Sequence, residues 1–252
     1  EAVDVDDQGL PPEKLADDIN VIFTTPSHHC PTAATMPLSR RKRLLAKARE
    51  LDAIIVEDDY EFEMSFLKPA LPALKSLDND GRVIYVGSFS KSLFPGMRLG
   101  YLVGPAPFIK EARALRASVL RHPPGHIQRT AAYFLSLGHY DALIKRMSKQ
   151  YEERYLEMEK SLTKFDLKIA GKAQHGGSSF WVETPKCTNA VKLAQKLLEM
   201  DVVIEPGDPF FVGENHPKNF IRLAYSSIST NKIAAGIELI AEAISNTGPI
   251  TT

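Results

Sequence analysis

Three serines, one lysine and one arginine fall within a single stretch, Ser88-Phe89-Ser90-Lys91-Ser92-Leu93-Phe94-Pro95-Gly96-Met97-Arg98. Hydroxyls beside an arginine suit a phosphate, because the guanidinium fork offers two charge-assisted hydrogen bonds. A lysine in such a loop either neutralises the phosphate or, when held unprotonated, condenses with an aldehyde. By composition alone the stretch also fits an exposed polar loop with incidental basic residues, since SxSK is short and common. A second constellation is Asp58-Asp59-Tyr60, which follows an apolar run. Paired carboxylates there could act as acid and base or take a metal, or simply end a strand in solvent. No second acidic cluster supplies further oxygen ligands, so the sequence predicts no metal site.

His28-His29-Cys30 invites a zinc reading. Neighbours in an extended segment point to opposite sides, and no HxxxH or CxxC partner exists, so zinc is not expected. His175, before Gly176-Gly177, reads as a turn residue. Trp181 and the Phe210-Phe211 pair read as core.

These residues need elements to hold them. Ile19 to Thr25 is a β-branched run, and Leu38 to Leu51 carries helical spacing with four basic residues at 40 to 43, read as a solvated face. Ala53 to Val56 and Arg82 to Gly87 read as buried parallel strands, and Leu99 to Val103 as a third candidate. Strand and helix alternating at this spacing predict an α/β layer with a mostly parallel sheet. The Ser88–Arg98 loop then lies at the sheet edge, where ligands of such folds bind.

Helices dominate from Pro107 to Phe165. The last, about Tyr140 to Phe165, would be roughly 39 Å long and could bridge two domains. Beyond it come a strand at Ser179 to Glu183, a helix around Asn189 to Met200, strands near Val202 to Glu205 and Phe220 to Tyr225, and a closing helix from Asn231 to Ile244. The expected organisation is residues 1–150 in a large unit and 151–252 in a smaller α+β unit.

Equal numbers of basic and acidic residues, 31 each, argue against a basic nucleic-acid module. Hydrophobic residues at 44% exclude a disordered tail. The two cysteines, Cys30 and Cys187, are far apart, which predicts a reduced, cytoplasmic protein. No apolar run approaches the ~20 residues that span a bilayer. The acidic start lacks both an initiator Met and a signal-peptide pattern, so a processed or truncated chain is expected.

Four segments in order now gain weight together: Thr25-Pro26-Ser27-His28-His29-Cys30-Pro31-Thr32, then IIVEDDYEFE, then RVIYVGSFSKSLFPGMRLGYLV, then FIRLAYSS. This order resembles the fold-type I pyridoxal-phosphate (PLP) aminotransferases. Among these it is most similar to the aminotransferase-like domain of MocR-type GntR regulators. The resemblance implies the aspartate aminotransferase-like fold, with part of the large-domain sheet followed by the small C-terminal domain. It implies that Lys91 holds the cofactor covalently and shuttles the α-proton. Asp58 would pair with the pyridinium nitrogen, keeping the ring an electron sink. Tyr60 would bond the ring phenolate oxygen, and Ser88, Ser90 and Arg98 would hold the phosphate. Arg222 would take the substrate carboxylate, and a homodimer is implied.

Two departures favour the regulator-like branch. Cys30 occupies the cofactor-contacting position where the family often has asparagine, and Tyr60 follows Asp58 one residue sooner than in many aminotransferases. The family's large domain also begins well before the segment matching Glu1, so the missing N-terminal half of the same chain is an expected partner. Three readings stay open: a catalytic aminotransferase working on an amino acid and a 2-oxo acid, an effector-binding module of a regulator, and a fragment without activity of its own.

Overall fold

The computed structural model describes residues 1–171 and 173–246. The first half of the chain forms a four-stranded sheet of β1 (Val21–Thr24), β2 (Ile54–Asp59), β3 (Val83–Ser88) and β4 (Gly100–Val103), in that order. The first three strands are parallel and β4 returns antiparallel, so the sheet is mostly parallel as expected. Helix α1 (Leu38–Glu50) crosses from β1 to β2, and the short α2 (Leu74–Leu77) precedes β3. Leu44 and Ala48 of α1 pack on Ile22, Ile55 and Val83. A fully buried leucine such as Leu44 contributes roughly 1.5–3 kcal/mol.

The basic run on α1 corrects the expectation of a solvated face. Arg40 is only 6% exposed and Arg41 is fully buried. Arg40 forks onto Asp6, while Arg41 donates to the carbonyls of Met36, Pro72 and Pro26 at 3.0 Å each. Buried guanidinium is tolerable only when its N–H groups are satisfied, and here backbone oxygens and Glu57, 3.9 Å away, do so. Glu57 in turn accepts from Leu74 N and Lys75 N at 2.7 and 2.8 Å, pinning the start of α2 to β2. The β4 expectation also changes: all four of its residues are exposed, because β4 is an edge strand with nothing laid over it.

Next come α3 (Ala106–Val119), α4 (Gly125–Ser136) and α5 (His139–Lys164). No residue of α3 is buried. The 26-residue α5 bridges the two halves: Tyr140 donates to Glu63 near the first sheet, while Tyr155, Met158 and Leu162 enter a second core. That core is built on an antiparallel sheet of β5 (Lys168–Ile169), β6 (Ser179–Glu183), β7 (Glu205–Pro206) and β8 (Phe220–Ala224), ordered β5-β6-β8-β7. Helices α6 (Ala190–Leu198) and α7 (Thr230–Ser245) cover it. The strand expected from Val202 shrinks to β7, and Val203 is 82% exposed.

The halves meet where the segment after β2 docks on the approach to β6. Gly177 N donates to Met64 O at 3.0 Å and Leu67 N to His175 O at 3.1 Å. A Cβ on Gly176, whose φ is +130°, would lie 2.2 Å from Met64 O, so only glycine allows this approach. His175 is structural here, its Nδ1 lying 2.9 Å from Pro69 O. Among the described residues no helix is long and apolar enough to cross a membrane.

Candidate functional site

Strand β2 runs through Asp59 and does not stop at Val56. Alternation along it therefore puts Asp58 and Asp59 on opposite faces. Asp58 is exposed into a cleft of ≈ 590 Å³ that is also lined by Thr24, Thr25, His29 and Cys30. Burial raises its pKa, and no side chain among the described residues engages its carboxylate. Asp59 faces inward, accepts from the Tyr85 hydroxyl at 3.2 Å, and has its other oxygen unpartnered within the protein.

Strand β3 runs parallel to β2, with Val86 opposite Asp58, so its C-terminal end opens at the same sheet edge. Ser88 ends it, and the chain turns there because Ser88 Oγ accepts from Ser90 N at 3.1 Å. Leu93 N then closes onto Phe89 O at 2.9 Å, leaving Lys91 on the outside of the turn. Ser92 points inward and is fully buried. Arg98 closes the loop in a left-handed conformation (φ 49°) with its side chain exposed.

Sequence reasoning missed the carboxylate that pairs with Lys91. Glu61 is 3% exposed, its carboxylate lies 3.6 Å from Lys91 Nζ, and it accepts from the Ser178 hydroxyl. Its neighbour Phe62 is 40% exposed, the reverse of ordinary polarity. The acidic residue alternating with aromatics in Tyr60-Glu61-Phe62-Glu63 was a signal, but only the docking of residues 175–178 makes Glu61 the buried one.

Tyr60 donates to His28 O at 3.4 Å and stands beside the Cys30 thiol; burial, then Glu61, raise its pKa. Burial also raises the Cys30 thiol. His28 and His29 are pushed down to about 4 by burial, hence neutral at pH 7, and bond Ser65 and Thr32. Phe210 and Phe211 are half-buried rather than core: with Cys30, His29 and Trp181 they line an adjoining cleft of ≈ 770 Å³. Arg222, on β8, projects toward the same region. Its Nε donates to Ser179 Oγ at 3.0 Å and one terminal nitrogen donates to Glu205 at 2.7 Å. Burial opposes its charge, and the Glu205 bond together with the charges of Cys30, Glu205 and Glu61 more than restores it.

The sequence pattern described as "Aminotransferase class I and II" matches residues 6–240. This chain belongs to that family. A curated relative, the HTH-type transcriptional regulator TauR of Rhodobacter capsulatus, is 57% identical over 243 residues, covering 96% of this chain and 50% of the regulator. Aromatic-amino-acid aminotransferase 1 of Thermococcus litoralis is 31% identical over 233 residues, covering 92% of this chain and 56% of that one. Among solved structures, Pyrococcus horikoshii kynurenine aminotransferase in complex with PMP superposes with a TM-score of 0.89 at 31% identity, over 97% of this chain and 63% of that one. The chain thus has the PLP-dependent transferase fold and spans about half the length of these curated relatives.

The residues present suit the family's cofactor. An open, exposed carboxylate at Asp58 lacks a donor that a protonated ring nitrogen would supply, and a half-exposed lysine stands at the end of the next strand. Asp59 is a different matter, because burial pushes it up to about 6 from 3.8. A carboxyl raised in the folded state stabilises below its unfolded pKa and loses that contribution as pH rises through the folded one. Between about pH 4 and 6 the fold is therefore expected to weaken, by on the order of 2–3 kcal/mol, because the unfolded chain releases a proton that the buried Asp59 keeps. Asp59→Asn is expected to be more stable than the parent at pH 8, with the gap closing toward pH 4. Urea denaturation across that range checks it, and a gap independent of pH would refute the assignment.

Proposed function

We propose that this chain is the lysine-bearing part of a PLP-dependent aminotransferase-type domain that moves an amino group between an amino acid and a 2-oxo acid. The observation that carries this reading is the pair Lys91 and Asp58 at one end of adjacent parallel strands, in a chain of this family. When bound, the cofactor supplies a sink for the electron pair released as the substrate's α-C–H bond breaks.

Each side chain then has a task. Lys91 Nζ anchors the cofactor and moves the α-proton, while Asp58 holds a proton at the ring nitrogen. The Tyr60 hydroxyl, beside Cys30, would bond the ring oxygen. Ser88, Ser90 and Arg98 would hold the phosphate, and Arg222 would meet the substrate's carboxylate. Glu61 receives the Lys91 ammonium whenever the amine is free, keeping it inside the site. The proposed division is 1–150 and 151–252, with the boundary inside α5. The exposed β4 and α3 are surfaces for the rest of a longer polypeptide and for a second copy in a homodimer. A cytoplasmic setting would keep Cys30 and Cys187 reduced.

A second reading, effector sensing in a MocR-type GntR regulator, is favoured by the 57% identity to TauR. One experiment separates them in the full-length, PLP-loaded polypeptide given an amino acid with excess 2-oxo acid. An aminotransferase makes many equivalents of new oxo acid per site. A sensor makes one or none, and the amino acid instead changes DNA binding. Neither product nor a spectral response would sink both.

A further inference from the structure

Two consecutive serines lead from the docked loop into the second sheet, Ser178 just before β6 and Ser179 as its first residue. On an extended segment neighbouring side chains point to opposite sides. Ser179 Oγ accordingly accepts from Arg222 Nε at 3.0 Å, while the Ser178 hydroxyl turns back and donates to Glu61. Both serines are buried. The oxygen that Ser178 reaches, Oε1, is also the one that lies 3.6 Å from Lys91 Nζ. A buried carboxylate needs hydrogen-bond donors, and the phenols that feel the charge of Glu61 are spent elsewhere. Tyr60 donates to His28 O at 3.4 Å and Tyr225 to Gly177 O at 2.6 Å. Among the described residues, Ser178 is the side-chain hydroxyl that donates to Glu61. The serine is itself held: its carbonyl accepts from Tyr225 N at 3.0 Å, and its neighbour Gly177 N is tied to Met64 O at 3.0 Å.

We propose that Ser178 is a positioning residue for Lys91: by holding the Glu61 carboxylate toward Nζ, it fixes where the lysine rests whenever its amine is free. This rests on the proposed function, in which Lys91 is released and taken back as the amino group moves. It assigns control of that resting place to the smaller unit, the part of the chain that also carries Arg222. Ser178 acts through Glu61 and touches no reacting atom. The hydroxyl is needed because a buried carboxylate without its donor has every reason to turn toward water, away from the amine. A serine that only fastened the loop would loosen the junction when lost, and its effect would add to that of losing Glu61.

The test follows the amine of Lys91 in the full-length polypeptide stripped of cofactor. Trace acetic anhydride labels each lysine in proportion to its uncharged amine, and peptide mapping gives the ratio of label on Lys91 to label on Lys75. Lys75, paired with Asp78 at 2.9 Å, is the internal reference. Glu61→Gln and Ser178→Ala are each expected to raise the ratio about tenfold, the low end for a lost charge partner because the Lys91 side chain is 45% exposed. Ser178→Thr, which keeps the hydroxyl, is expected to stay near the parent. Should Ser178→Ala not fold, Ser178→Cys, a weaker donor of similar shape, is expected to move the ratio in the same direction. Combining Ser178→Ala with Glu61→Gln is expected to match Glu61→Gln alone, since the serine works through the carboxylate. An unchanged ratio in either single variant, a combined effect well above that of Glu61→Gln, or Ser178→Thr behaving like Ser178→Ala overturns the proposal. Cofactor trapped on a different lysine would overturn the proposed function instead, and the label ratio would still decide whether Ser178 positions Lys91.

Discussion

Lys91→Ala is expected to leave no borohydride-trapped cofactor on the full-length polypeptide. In the parent, reduction followed by peptide mapping is expected to mark Lys91 alone. The geometry is specific: Lys91 lies on the outside of the turn after β3, half exposed, 3.6 Å from a buried carboxylate. Lys75 is instead tied to Asp78 at 2.9 Å on the far side of α2, and Lys110 belongs to α3, away from the β2–β3 edge. Amino-group transfer is expected to fall by about 10²–10⁴-fold from loss of the proton shuttle alone. A label on Lys75 or Lys110, or activity retained in the variant, would end the assignment.

Asp58→Ala is expected to keep the trapped lysine but slow exchange of the substrate α-proton by about 10²-fold or more. Removing the carboxylate removes the group that keeps the ring nitrogen protonated, and the electron sink weakens. The neighbouring carboxylate cannot take over. Asp59 is 4% exposed, bonded to Tyr85, and faces the other side of the sheet. Deuterium exchange at the α-carbon, followed by NMR, measures the effect. Equal slowing in Asp59→Ala with none in Asp58→Ala would reverse the two roles.

The periodicities placed most elements well. The 26 residues of α5 and the strand at Ser179–Glu183 lie within a residue of where the sequence pattern put them, because that pattern is local. Local signals failed where burial was set from a distance. Four consecutive basic residues look solvated, yet Arg40 and Arg41 are buried, one because Asp6 reaches back across 34 residues, the other because the carbonyls of Pro26 and Pro72 do so. Phe210 and Phe211 look like core, yet they border a cleft because the β7–β8 connection sits at the edge of the second sheet.

By itself the sequence determined the order of elements and, through four contiguous motifs that resemble one family, pointed to Lys91, Asp58 and Arg222 as the residues to test. Only the tertiary structure decided which carboxylates stay open and which are buried. Strand alternation says that Asp58 and Asp59 face opposite ways, but which face stays open depends on what packs over the sheet. Glu61 is brought to Lys91 by a loop that docks against Ser178, 117 residues further on. Glu205 meets Arg222 only because β7 pairs beside β8. Such pairs join residues far apart in the chain, and no periodicity of a single segment encodes the partner another segment will bring.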